Sequence, residues 1–203
     1  MIQLFGARAE ELPCEEAMKA QIGDEWFSVW KERHPNLRGE SARLSLGGLL
    51  LLRASGAEGS LLYTEHGRPC FADSAIDFSI THTGEMIFCA VSKNSGRVGL
   101  DAEDLSRVAE VKISALSVRW FGERELKVFS ENASPREFLR LWTRKEAYVK
   151  RTGEGLRQMR QIDTYALRGD SVSFFEFWIK NTCLTLCSGA AAGACDKILF
   201  QSF

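Results

Sequence analysis

Two stretches, DFSITHTGEMIFCAVS at residues 77–92 and FFEFWIKNTCLTLCS at residues 174–188, each read as strand, turn, strand, and each follows a run of helical sequence. In the first half, Ala17, Met18, Ile22, Trp26, Val29 and Trp30 recur near helical spacing over residues 15–33, and His34-Pro35-Asn36 ends that run. A Leu-rich helix is predicted from about Glu40 to Ala54, stopped by Ser55-Gly56-Ala57. The second half starts again with helices over 105–120, 122–129 and 135–151, then strands over 162–167, 171–180 and 182–188, with turns at Arg168-Gly169-Asp170 and Asn181. Helices followed by hairpins, twice over, predict an α+β fold of two similar α/β lobes in a pseudo-twofold arrangement. The expected division is 1–96 and 97–203, with a site at the lobe interface.

A chain of 203 residues that is 45% hydrophobic can bury a sizeable core. Its 26 basic and 27 acidic residues nearly cancel, so no nucleic-acid footprint is expected. The longest leucine run, in GGLLLLRAS, is far short of a membrane span, and MIQLFGARAEEL does not resemble a signal peptide. Six cysteines (Cys14, Cys70, Cys89, Cys183, Cys187, Cys195) form no CxxC, and His34, His66 and His82 have no zinc-binding spacing. Reduced cysteines in a cytoplasmic protein are the expectation.

Three features carry chemistry. In VGLDAEDL, Asp101 and Glu103 stand two apart, which on a strand puts both carboxylates on one face. Burying two acids at a strand end is costly without a neutralising cation; the bland alternative is a solvated strand end with Asp104 or Ser106 as a cap. In WTRKEAYVK, Glu146 and Lys150 are neighbours on one helix face. Taken alone they read as a surface pair worth a few tenths of a kcal/mol. Ser134-Pro135 starts that helix, and Gly153 and Gly155 follow it, free to let backbone approach a ligand. Together, two strand acids, a helix acid and an adjacent lysine are the parts of a Mg²⁺–pyrophosphate site.

These stretches resemble a known family. Val98-Gly99-Leu100-Asp101-Ala102-Glu103 is similar to the V-G-[IV]-D-[IV]-E signature of the 4′-phosphopantetheinyl transferase superfamily. Residues 142–150 match its W-[ST]-x-K-E-[AS]-x-x-K at every fixed position. Gly67-Arg68-Pro69 and Phe78-Ser79-Ile80-Thr81-His82-Thr83 resemble the G-[KR]-P and F-N-x-S-H-[ST] pair of the monomeric, surfactin-synthetase-activating type. Ala102, Ser79 and Thr81 depart from the usual residues: Ala102 loses packing, while the other two keep hydroxyls.

The resemblance implies transfer of the 4′-phosphopantetheine arm of coenzyme A to a serine of an apo acyl or peptidyl carrier protein, with adenosine 3′,5′-bisphosphate released. It implies Asp101, Glu103 and Glu146 as Mg²⁺ ligands, and Asp101, Glu146 and Lys150 as catalytic. Coenzyme A would meet Arg43, Arg68, Pro69, Thr81, His82 and Lys150, with His82 at the 3′-phosphate. Lys31, Arg33 and Arg38 are further basic candidates, and Lys145 is open between solvent and phosphate. Arg144 is expected in solvent. Arg107, Lys112, Arg119 and Phe121 are candidates for a carrier-receiving patch. The expected state is a monomer without nucleic-acid or membrane partners. The alternatives are a non-catalytic coenzyme A or carrier-binding module and a Mg²⁺-dependent nucleotide hydrolase.

Overall fold

Successive residues of a strand face opposite ways, and the two main sheets of this protein use both faces. The computed structural model describes residues 1–72, 75–108, 110–167, 172–189 and 198–203, with side chains 110–112 and 156 also outside the description. Cys195, the turn expected at 168–170 and the Lys112 side chain lie outside the described residues.

The chain runs β1 (Ile2–Arg8), α1 (Glu15–Ile22), α2 (Asp24–Arg33), α3 (Gly39–Ala54), β2 (Leu61–Tyr63), β3 (Pro69–Phe71), β4 (Ile76–Thr83), β5 (Met86–Lys93) and β6 (Gly99–Asp104). It continues with α4 (Glu110–Trp120), α5 (Glu123–Glu131), α6 (Pro135–Thr152), β7 (Ser173–Ile179), β8 (Thr182–Ser188) and β9 (Ile198–Phe200). This is a mixed α/β protein. One sheet has the order β4-β5-β1-β9, a second the order β6-β8-β7, and β2 pairs β3. Pairing is antiparallel except between β1 and β9, where Phe5 lies opposite Leu199, so the chain's last strand returns to its first.

The register sorts the core into layers. Phe5, Ala7, Phe78, Ile87, Cys89 and Val91 face α1–α3 and bury against Trp26, Trp30 and the leucines of α3. Leu4, Phe88 and Ala90 face the other way and meet Leu100, Ala102, Leu184 and Leu186 of the second sheet. The far side of that sheet, with Cys183 upon it, is covered by α6 and the aromatic cluster of Phe121, Phe129 and Phe138. The order from outside to outside is helices, sheet, sheet, helices.

The two sheets are joined along a seam between β4 and β6. β6 is an edge strand, and its outward N–H groups would be unsatisfied in this buried position. Side chains of β4 accept them instead. The N–H of Val98 donates to Asp77 Oδ2 at 2.7 Å, that of Leu100 to Ser79 Oγ at 2.9 Å, and that of Asp104 to Thr83 Oγ1 at 3.0 Å. Each such group left unpaired would cost about 1–3 kcal/mol.

Some elements differ from expectation. The helix expected over 15–33 is two helices, broken at Gly23, whose φ of 87° is outside the helical range. The strand expected over 162–167 is absent; residues 156–161 form a 3-10 helix and turns follow at 164–166. β1, β3 and β9 form where no local pattern in the sequence predicts a strand. Cys14, Cys70, Cys89, Cys183 and Cys187 are free thiols. Among the described residues, no helix is long and apolar enough to cross a membrane.

Candidate active site

The site begins with how closely α6 can approach β6. α6 starts at Ser134, whose side chain accepts from the Glu137 N–H at 3.2 Å, with Pro135 in its first turn. It ends at Gly153, whose left-handed φ of 77° suits glycine. Between these ends its backbone presses on β6 at Gly99. A Cβ there would lie 1.9 Å from the Ala147 carbonyl oxygen and 2.5 Å from the Arg151 nitrogen. The glycine of V-G-L-D is thus the space that α6 needs, and the approach brings Glu146 and Lys150 over the acids of β6.

Lys150 Nζ donates to Asp101 Oδ1 at 2.5 Å and to Thr81 Oγ1 at 3.2 Å. Thr81 donates to the same Asp101 oxygen at 3.4 Å, and Thr83 to Glu103 Oε2 at 3.4 Å. Asp101 is 2% exposed, and its second oxygen, Oδ2, is buried with no hydrogen-bond partner. Glu146 sits in the same field. Loss of solvent, then repulsion from Asp101, with a smaller push from Glu103, raises its pKa to about 8 although Lys150 opposes this. Glu103 is also raised, first by burial and then by Asp101, against the pull of Arg107, Lys150 and Thr83. Burial works against the Lys150 ammonium, but Asp101, Glu146 and Glu103 outweigh it and hold its pKa above the ordinary lysine value. Three carboxylates thus share one ammonium.

Beside them lies a cleft of about 250 Å³ lined by His66, Gly67, Arg68, Pro69, Ser79, Glu146, Lys150, Gly153 and Gly155, among others. His66 packs beside Gly155, and the Arg33 guanidinium lies against Gly67. Neither contact has a spacing signature in the sequence, where His66 shows only the absence of a zinc-binding pattern. Arg68 is 10% exposed and heavily engaged. Its Nε donates to the Lys150 carbonyl at 2.8 Å, and one terminal nitrogen reaches Asp77 Oδ2 at 2.6 Å, the Val98 carbonyl at 3.1 Å and the Phe78 carbonyl at 3.3 Å. His82 keeps solvent contact at the end of β4; crowding, then the cations Lys150 and Arg107, lowers its pKa, so it is neutral near pH 7.

Other candidates sit elsewhere. Arg43 on α3 donates to the Leu12 carbonyl at 2.7 Å and pairs with Glu40 at 3.7 Å, and it does not line this cleft. Arg38 is tied to the Pro35 and Leu37 carbonyls, and Lys31 lies over the Trp30 ring. Lys145 reaches neither solvent nor cleft. It is fully buried, donating to Glu125 Oε2 at 2.6 Å and to the Ile162 carbonyl. Glu125 also accepts from the N–H groups of Gly122 and Thr164 and from the Thr164 hydroxyl. Arg144 is not in open solvent: its guanidinium lies over Phe174 and Tyr165 and near Glu176. Phe121 is buried against Phe129 and Phe138 and offers no surface to a partner, whereas Arg107 and Arg119 are exposed. Asp104 caps the 3-10 turn after β6 by accepting from the Ser106 N–H at 2.8 Å.

Among the described residues, no group of three His, Cys, Asp or Glu side chains is placed to hold a metal ion. Mg²⁺ keeps waters and shares its ligands with substrate phosphates, so it can be held by one or two carboxylates. A buried oxygen on Asp101 without a hydrogen-bond partner, beside Glu103 and Glu146, whose pKa values burial and then the Asp101 charge raise, fits a hard divalent cation.

Comparison with known proteins bears on this geometry. A family model described as the 4′-phosphopantetheinyl transferase superfamily matches residues 97–191. The 4′-phosphopantetheinyl transferase gsp of Aneurinibacillus migulanus is 37% identical over 95 residues, 45% of this chain and 37% of that protein. HetI of a Nostoc species, also a 4′-phosphopantetheinyl transferase by name, is 32% identical over 108 residues, 50% of this chain and 44% of its own. The 4′-phosphopantetheinyl transferase AcpT of Salmonella typhi is 33% identical over 129 residues, 63% of this chain and 67% of its own. The matched stretch thus spans less than half of the first two relatives and two thirds of the third.

Proposed function

Since this chain belongs to the 4′-phosphopantetheinyl transferase superfamily, we propose that it moves the 4′-phosphopantetheine arm of coenzyme A onto a serine of an apo acyl or peptidyl carrier protein, releasing adenosine 3′,5′-bisphosphate. The observation that carries this reading is the meeting of Lys150 and Glu146 with Asp101, whose second oxygen is buried without a donor.

Asp101, Glu103 and Glu146 are the residues that would hold Mg²⁺, which when bound supplies positive charge to the pyrophosphate oxygens and lessens the repulsion among the carboxylates. Glu146, set beside Asp101 and Lys150, is the carboxylate that would take the proton of the carrier serine as its oxygen attacks the β-phosphate. Lys150 is the cation for charge on the departing phosphate. Thr81 steadies both Lys150 and Asp101. Pro69 would face coenzyme A from the cleft wall through its backbone, since proline has only a carbonyl to offer. Neutral His82 would meet the 3′-phosphate as a hydrogen-bond donor and gain its proton from that contact. Arg33, against Gly67 of the cleft wall, is a further basic candidate for that phosphate.

The division into lobes 1–96 and 97–203 draws support from the two sheets, with the site at their seam, except that β9 crosses back to pair β1 in the first sheet. A monomer remains the proposed state, and a cytoplasmic location fits the free thiols among the described residues and a coenzyme A substrate. The test is the mass of candidate apo carrier proteins after incubation with coenzyme A and Mg²⁺. A gain of one phosphopantetheine arm, abolished by EDTA and absent without enzyme, is the expected result. Binding of coenzyme A without any mass gain would identify a non-catalytic module, and coenzyme A cleavage without a carrier would identify a hydrolase.

A further inference from the structure

Three segments carry the proposed site, and one guanidinium touches all of them. Arg68 donates to the Lys150 carbonyl in the last turn of α6, to Asp77 and the Phe78 carbonyl on β4, and to the Val98 carbonyl just before β6. Its other terminal nitrogen faces the Pro69 carbonyl at 3.5 Å. Asp77 Oδ2 in turn accepts from both Arg68 and the Val98 N–H, so the contact is closed on both sides. A helix ends with unpaired carbonyls and partial negative charge, and a planar cation with several donors is the side chain that can bind such an end and two strands at once.

We infer that Arg68 is the positioning residue of this site. It latches the end of α6 to the seam of the two sheets, and so sets Glu146 and Lys150 against Asp101, rather than binding the substrate through its guanidinium. Val98 stands three residues before Asp101, and Lys150 is the residue whose carbonyl is held. Movement at the latch therefore shifts both sides of the Lys150–Asp101 pair. Most of the guanidinium's donors are committed to protein acceptors, which leaves little of it for a phosphate. This role rests on the proposed transferase reading.

The test compares wild type, Arg68→Met and Asp77→Asn in the full chain. Coenzyme A affinity is measured by calorimetry, kcat and KM by carrier labelling, and backbone amide exchange across residues 146–153 by mass spectrometry. Asp77 does not line the cleft, so its substitution reaches the site only through the latch. Both variants should keep coenzyme A affinity within about threefold, lose roughly 100-fold in kcat, and exchange faster at the end of α6. Arg68→Met that raises Kd and KM about tenfold or more while sparing kcat would overturn the latch and make Arg68 a ligand contact. Wild-type kcat in either variant would also overturn it. If wild type itself transfers nothing, the transferase reading fails, and the latch still stands or falls on amide exchange: faster exchange supports it, and unchanged exchange refutes it.

Discussion

Lys150 Nζ lies 2.5 Å from Asp101 Oδ1, joining the last α-helix before the C-terminal hairpin to the first strand of the second sheet. The acid is almost fully buried and the lysine is about one-third exposed, so the cation reaches inward from the cleft to a charge that solvent cannot serve. This pair turns an ordinary helical i, i+4 spacing into part of a site, because Lys150's partner is on another element rather than on its own helix.

Removing the ammonium should therefore be costly in rate. Lys150→Met is expected to slow carrier labelling about 100-fold at saturating coenzyme A, the scale seen when one preorganised charge-stabilising group is lost. Single-turnover labelling measures it. A rate within about threefold of wild type would place the charge-balancing role elsewhere.

The ion-free protein should lose stability with rising pH through Glu146. Its folded pKa of about 8 exceeds its ordinary 4.5, so between those values the folded form holds a proton that the unfolded chain has released. That contribution is full below the unfolded value and is lost as pH rises through the folded one. Melting curves in EDTA should fall over this range, and Glu146→Gln should flatten the fall. An identical slope in the variant would show that the carboxyl does not titrate in that window.

Gly99 should tolerate no side chain. An alanine methyl would sit 1.9 Å from the Ala147 oxygen, so Gly99→Ala must push α6 away from β6. A loss of roughly 1–3 kcal/mol is expected from overpacking of this kind, with transfer impaired beyond the loss of folded protein. Urea unfolding and labelling on the same preparation separate the two effects.

Lys145 should behave as a structural residue although it adjoins Glu146. Lys145→Met leaves the fully buried Glu125 carboxylate without its counter-charge, which typically costs about 3–5 kcal/mol. The folded fraction should still bind coenzyme A with wild-type affinity in calorimetry at low temperature. A stable variant with weakened coenzyme A binding would instead make Lys145 a phosphate contact.

Local signals were legible in the sequence, and long-range ones were not. α6 could be bounded to within a residue because Ser134, Pro135 and Gly153 act within a turn of themselves. β5 and β8 followed from their own composition. β1 could not be read in this way: it is a strand because Leu4 lies opposite Ala90, a pairing no local pattern encodes. Residues 162–167 have strand-like composition, but Thr164 is spent on Glu125. The acids and lysine of the site were visible as motifs. What each side chain touches was not: the partner of Lys145 is on a neighbouring helix, and the acceptors of Arg68 lie on separate segments.

The most direct test of the central claim is transfer of a fluorescent coenzyme A arm to an apo carrier by wild type, Asp101→Ala and Glu146→Ala, with and without EDTA. Wild type should label the carrier only without chelator, and both variants should be slower by a factor of about 100 or more while remaining folded. Labelling by either variant at the wild-type rate would contradict the assignment of these carboxylates.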